Sequence, residues 1–119
     1  MQPSAHALGQ AGEDAALAHL LAQGYELVQR NYRYGRAEVD LVVRLGQILL
    51  VFVEVKTRSS ARYGHPEEFV TSHKQQLFRQ AAEELQEALA WTGDIRFDIL
   101  ALTRTASGLR LEHFEDAFY

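Results

Sequence analysis

The sequence predicts an α/β chain in the order αβββαββ, with a mixed sheet flanked by helices, and three observations carry that prediction. The segment from Leu49 to Lys56 is a nearly unbroken apolar run of strand type. The turn Leu45-Gly46-Gln47 joins it to a second strand-like segment, Glu38-Val39-Asp40-Leu41-Val42-Val43, as a hairpin. Apolar residues at helical spacing precede and follow these strands.

Taken in order, residues 10–23 form the first helix, with Ala16, Leu17, Leu20 and Leu21 on one stripe and Gly24 as its C-terminal glycine. Strands follow over residues 25–34, 38–44 and 48–57 as an antiparallel meander. A loop over 58–70 leads to a second helix. There Ser72-x-x-Gln75 offers a capping box, and Leu77, Phe78, Ala81, Ala82, Leu85, Ala88 and Leu89 mark the apolar face to about Trp91, with Gly93 as the stop. The strand over 95–103 comes after this helical crossover and can therefore lie parallel to the third strand. A short fifth strand over 109–114 follows the Ser107-Gly108 turn.

At 119 residues the chain has the size of one domain, 1–119. Hydrophobic residues make up 47% and charged residues 24%, an ordinary globular balance, and no apolar run reaches the eighteen or so residues of a membrane span. There is no Cys, hence no disulfide framework and no cysteine zinc site, and the first residues show neither the basic region nor the apolar stretch of a secretory signal. The expectation is a cytoplasmic protein without membrane partners. The net charge of -4 conceals a division. Residues 30–62 carry seven basic side chains, Arg30, Arg33, Arg36, Arg44, Lys56, Arg58 and Arg62, against three acidic ones, whereas both flanking segments are acidic. A polyanion would be drawn to the middle segment.

That segment also holds the acids. Strand residues two apart share a face, so Glu54 and Lys56 lie side by side, as do Glu38 and Asp40 on the neighbouring strand. If the two strands pair, Asp40 and Glu54 converge, and two close carboxylates repel unless a cation or a shared proton compensates. Mg2+ or Mn2+, which prefer oxygen ligands, would be natural occupants. The rival reading is a solvated Glu54–Lys56 pair at a strand end. Of twelve basic residues only Lys56 and Lys74 are lysines, which favours a required ammonium at 56. Glu13 falls on the apolar stripe of the first helix and wants a partner, although an acid in a first turn is also favoured by the helix dipole. Glu13, Glu38, Asp40, Glu54 and Lys56 suit phosphodiester hydrolysis: carboxylates hold a divalent cation and a lysine stabilises developing charge.

Several short motifs now line up: Gly9-x-x-Gly12-Glu13-x-x-Ala16, Gly24-Tyr25, Asn31-Tyr32-Arg33, Ala37-Glu38-Val39-Asp40-Leu41, Val51-Phe52-Val53-Glu54-Val55-Lys56-x-Arg58, Phe69-Val70 with Lys74, Arg96-Phe97-Asp98, and His113 with Ala117-Phe118. Over almost its whole length the chain resembles the YraN-type (UPF0102) family of predicted endonucleases. The resemblance implies a restriction-endonuclease-like PD-(D/E)XK core, similar to archaeal Holliday-junction resolvases. The family's usual Gly-Glu-Ile-Asp reads Ala37-Glu38-Val39-Asp40 here. By position, the resemblance implies Asp40 and Glu54 as metal carboxylates, the Val55 carbonyl as a further ligand, Lys56 as the catalytic lysine and Glu13 completing the site from the first helix. Glu38 is either a second-site ligand or an acceptor for Arg33 or Arg58.

Arg33, Arg36, Arg58, Arg62 and Lys74 are candidates for contact with the nucleic-acid backbone, with Tyr63 and His65-Pro66 shaping the loop after the lysine. Lys74 and Gln75 begin the second helix, where the resemblance implies a residue that orients the site in some related nucleases, and a plain helix start with a capping Gln suits them at least as well. His65, His73 and His113 lack metal-binding spacing and read as surface or loop residues, and Tyr25 and Trp91 as packing residues. The function expected is a Mg2+- or Mn2+-dependent DNA nuclease, selective for a junction or flap. The alternative is a non-catalytic nucleic-acid-binding or protein-partner module that retains the core. A sugar hydrolase using Glu38, Asp40 and Glu54 is disfavoured by Lys56 and the arginines, which neutral substrates do not need. The Val- and Leu-rich sheet face opposite the acids leaves a homodimer open, and two-fold symmetry would suit a junction cutter.

Overall fold

The computed structural model describes residues 5–58 and 70–119, with side chains from Gly9 onward. The elements are α1 (Ala5–Ala22), β1 (Glu26–Tyr34), β2 (Ala37–Leu45), β3 (Leu49–Arg58), α2 (Ser72–Ala88), β4 (Asp94–Thr105) and β5 (Gly108–Phe118). The expected order αβββαββ is the observed one. The five strands form one sheet in the order β1-β2-β3-β4-β5, antiparallel except for the parallel β3–β4 pair created by the α2 crossover. Arg62, Tyr63, His65 and Pro66, named above for the loop, lie outside the described residues. Among those described, no helix is long and apolar enough to cross a membrane.

Alternation along β3 explains the layering. Leu50 and Phe52 point to one face and pack with Phe78, Ala81, Ala82 and Leu85 of α2 and with Phe97, Ile99 and Phe118. Val51 and Val53 point to the other face and pack with Ala16 and Leu20 of α1 and with Leu41, Val43, Leu100 and Leu102. The Val and Leu face opposite the acids, considered above for a second copy, is therefore covered by α1. The expected stripe on α1 is narrower than its spacing suggested: Ala16 and Leu20 are fully buried, but Leu21 is 47% exposed.

The α2 boundaries differ from expectation at both ends. Its N-cap is Thr71, not Ser72: the Thr71 Oγ1 accepts from the Lys74 N–H at 3.1 Å, and Gln75 Nε2 donates to the Val70 carbonyl at 3.0 Å instead of closing a capping box. At the far end Ala90 takes the left-handed conformation (φ 50°) and stops the helix three residues before Gly93. Gly93 has another reason to be glycine, since a Cβ there would lie 2.5 Å from the Gln47 carbonyl oxygen in the β2–β3 turn. The turn before β2 does not need a glycine at Ala37, because its positive φ belongs to Gly35 (φ 59°). β5 runs four residues past its expected end at Phe114. Asp116, at φ 53°, makes a bulge opposite Asp98, after which Phe118 rejoins the ladder against Phe97.

Gly12 lets α1 approach β3, because a Cβ at this position would meet Thr57 Oγ1 at 2.0 Å. Ala inside a helix normally gains up to about 1 kcal/mol over Gly. Here the clash with a stiff β-branched side chain outweighs that gain, and Gly12→Ala is expected to destabilise by about 1–2 kcal/mol net. Adding Thr57→Ala should return most of the loss in a denaturant titration. A single variant at least as stable as the parent would contradict this packing.

A candidate active site where strands β2 and β3 part

The hairpin register places the site. β2 and β3 pair from Leu45↔Leu49 to Leu41↔Val53, and the ladder ends one residue short of Asp40 and Glu54. β1 stays paired with β2 as far as Tyr34↔Ala37, and β4 with β3 as far as Arg58↔Thr103, so the sheet opens only between its second and third strands. The Asp40 side chain fills the gap: its Oδ2 accepts the Val55 N–H at 2.8 Å, in place of the lost ladder bond. A strand residue's N–H and C=O leave the chain on the same side, so the Val55 carbonyl also faces this gap.

Glu54 is buried, with 3% of its surface exposed. Its Oε1 is met by Lys74 Nζ at 2.6 Å and by Lys56 Nζ at 3.4 Å. Its Oε2 is buried without a hydrogen-bond partner among the described residues. Burial, and then the charge of Glu54, push the Asp40 carboxyl up to about 7; the Val55 N–H and Lys74 oppose them, and Glu13 adds a smaller push upward. A buried acceptor lacking a donor, beside a carboxylate whose ionisation is resisted, is the environment a cation would relieve. Among the described residues no three carboxylates or imidazoles group closely enough to form a ligand set alone. The donors that fit a hard cation are therefore two carboxylates and a backbone carbonyl, with the remaining positions left for water and phosphate oxygens.

The other sequence candidates lie around this centre. Glu13 is held by Arg30, whose Nε donates to its Oε1 at 3.0 Å while NH2 reaches Asp14 at 2.8 Å. It lines a cleft of about 630 Å³ with Gly9, Asn31, Arg33 and Glu38. Glu38 forms an exposed ion pair with Arg33 at 3.6 Å. Glu38 also borders a second cleft, of about 390 Å³, with Arg36, Asp40, His73, Lys74 and Leu77. Arg58 donates through Nε to Thr103 Oγ1 at 3.1 Å. Lys74, a candidate for nucleic-acid contact, reaches Glu54 Oε1 at the acidic centre and also borders this second cleft.

Sequence reasoning missed a second polar cluster, on the α1 face of the sheet. Asp98 is fully buried and receives Arg96 Nε and NH2 at 2.8 Å each, His113 Nε2 at 2.7 Å and the Asp116 N–H at 3.0 Å. Arg96 also donates to the Tyr25 hydroxyl at 2.7 Å, and His113 Nδ1 lies 3.3 Å from His19 Nε2. Burial alone would raise the Asp98 carboxyl, but the bonds from His113, Arg96 and Asp116 hold it below its ordinary value. Burial, and then the neighbouring His113, lower His19. His113 is thus no surface residue, and its side chain is 10% exposed. The signal for it was the Arg96-x-Asp98 spacing on one strand face, which places guanidinium and carboxylate side by side.

The fold is a five-stranded mixed α/β sheet with a helix on each face, and its candidate site is a carboxylate–lysine cluster at a split between two central strands. Comparison with known sequences agrees with the family resemblance. The model of the family described as "Uncharacterised protein family UPF0102" matches residues 12–102, and the chain belongs to this family. It is 38% identical over 112 residues to a UPF0102 protein of Christiangramia forsetii, covering 94% of this chain and 93% of that protein. It is 46% identical over 114 residues to one of Frankia casuarinae, covering 94% and 96%. Among solved structures it is similar to that titled "The structure of Pyrococcus Furiosus SfsA in complex with Ca2+", at 21% identity and a TM-score of 0.42. That match covers 94% of this chain, which spans only 64% of the SfsA chain.

Proposed function

We propose that this chain is a Mg2+- or Mn2+-dependent nuclease that hydrolyses DNA phosphodiester bonds, with a preference for branched or flapped DNA. The observation that supports it most is the pairing of Asp40 with a buried Glu54 whose Oε2 lacks a donor, at the one place where β2 and β3 separate. Asp40, Glu54 and the Val55 carbonyl would hold the cation. When bound, the cation would polarise the scissile phosphate and lower the pKa of an attacking water. The protein's own residues do the rest. Asp40 is oriented by the Val55 N–H, and Lys56 offers its ammonium to a phosphate oxygen as negative charge develops there. Arg33, which is 74% exposed on its side chain, and Arg36 at the mouth of the second cleft bind flanking phosphates and carry no base information. Glu13, already engaged by Arg30, shapes the neighbouring cleft rather than joining the first ligands.

The test is incubation of the purified protein with labelled single-stranded, duplex, flap and four-way-junction DNA in Mg2+, Mn2+ or EDTA. Cutting in either metal and none in EDTA is expected, fastest on the branched forms. Salt-sensitive binding without a metal-dependent product would instead assign the non-catalytic binding module.

A further inference from the structure

Two ammonium groups converge on one oxygen of Glu54: Lys74 Nζ at 2.6 Å and Lys56 Nζ at 3.4 Å. A single lysine would neutralise Glu54. Lys74 also favours the ionised form of Asp40, a small effect that burial and Glu54 outweigh. Two carboxyl groups and two lysine side chains thus meet at this one place in the fold. Lys74 is delivered from a firm base, since its N–H is capped by Thr71 Oγ1 at 3.1 Å and the next residue, Gln75, is tied to the Val70 carbonyl. Its side chain is nonetheless 35% exposed and borders the cleft shared with Arg36, Glu38 and Asp40, so its ammonium has an exit.

A divalent cation entering here meets two lysine side chains already at its carboxylate ligand in a half-buried place, which disfavours its binding. A phosphodiester arriving in the adjacent cleft brings a negative charge and supplies a new acceptor for the displaced lysine. We propose that Lys74 is a resident counter-cation of Glu54, which holds the place of the divalent cation and cedes it when the DNA phosphate arrives. Metal and DNA then bind with positive cooperativity, each improving the affinity for the other by the same factor. Lys74 in this role is a positioning residue, and the inference rests on the metal-dependent nuclease reading above.

Mn2+ affinity, read from the EPR signal of free Mn2+, tests it in the wild-type protein, Lys74→Met and Lys74→Arg. Each is measured alone and with a phosphorothioate-linked four-way junction, which keeps the backbone charge and is cut slowly. Without DNA, Lys74→Met should bind Mn2+ about tenfold more tightly than wild type, the scale on which one neighbouring charge moves an ionic equilibrium. DNA should tighten Mn2+ binding about tenfold in wild type and in Lys74→Arg, but less than about threefold in Lys74→Met. If Lys74→Met melts below the assay temperature, Lys74→Gln replaces it with the same expectation. Equal or weaker DNA-free Mn2+ binding in the neutral variant, or an undiminished effect of DNA, overturns the counter-cation role while leaving the nuclease reading standing. No Mn2+ binding by any of the proteins, with or without DNA, overturns that reading and the inference with it.

Discussion

Asp40→Asn is expected to lower DNA cleavage by about a thousandfold and, in the same protein, to raise thermal stability above neutral pH. The first effect follows from removing one of the two carboxylates proposed to hold the cation, a contribution of several kcal/mol to the barrier. The second follows from the pKa. Burial and the charge of Glu54 raise the Asp40 carboxyl from its ordinary 3.8 to about 7 in the folded protein. The folded state therefore binds a proton that the unfolded state has released across that interval. Stability from this group is complete below about pH 4 and is lost as pH rises through about 7. Asn carries no such cost and still accepts the Val55 N–H. In EDTA, Asp40→Asn should match wild type near pH 4 and exceed it at pH 8 by about 1–2 kcal/mol, allowing for the solvent that reaches the carboxyl. That difference corresponds to several degrees in melting temperature. Melting curves at the two pH values check the sign, and a variant less stable than wild type at pH 8 would contradict it.

Asp98→Ala is expected to give the largest loss of stability, about 3–5 kcal/mol, because it strands the Arg96 guanidinium and the His113 ring without their shared acceptor. Arg96, 18% exposed, would lose its bidentate acceptor; His113 would lose a 2.7 Å bond; and the Asp116 N–H would lose the bond that anchors the β5 bulge. The loss should depend on pH with the opposite sense to that of Asp40. Asp98 is held below its ordinary value, so its contribution is present above about pH 4 and fades as pH falls through the folded pKa. Chemical denaturation of both proteins at pH 7 and pH 3.5 should show the gap narrowing in acid. A gap under about 1 kcal/mol at pH 7 would mean that Arg96 and His113 find other partners.

The convergence of Asp40 and Glu54 was legible because a short turn fixes a hairpin register and strand periodicity fixes the faces. The turn Leu45-Gly46-Gln47 sets Leu41 against Val53, and the next pair outward is the two acids. The apolar run of β3 likewise announced a strand buried on both sides, and the α2 spacing its packing face. What sequence reading could not supply were relations with no periodic signature. Lys74 lies 20 residues from Glu54 along the chain, and only the docking of α2 brings its ammonium to that oxygen. The Thr71 cap was hidden because Ser72 offers the same chemistry one residue later. His113 looked like a surface residue because its acceptor, Asp98, is on another strand, two residues along from the Leu100 with which His113 pairs. The glycine at 12 reads as a helix weakness until β3 is seen to press against it.

The central claim is that the Asp40–Glu54–Lys56 cluster performs metal-dependent hydrolysis, and Lys56→Ala tests it most directly. Lys56 is one-third exposed and lies outside the hydrophobic core, so the variant should fold with an unchanged circular dichroism spectrum. Single-turnover cleavage of a labelled four-way junction in Mn2+, with wild type and Lys56→Ala prepared identically, should show the rate falling by about a hundredfold or more. A folded Lys56→Ala protein that cuts at the parental rate would contradict the account.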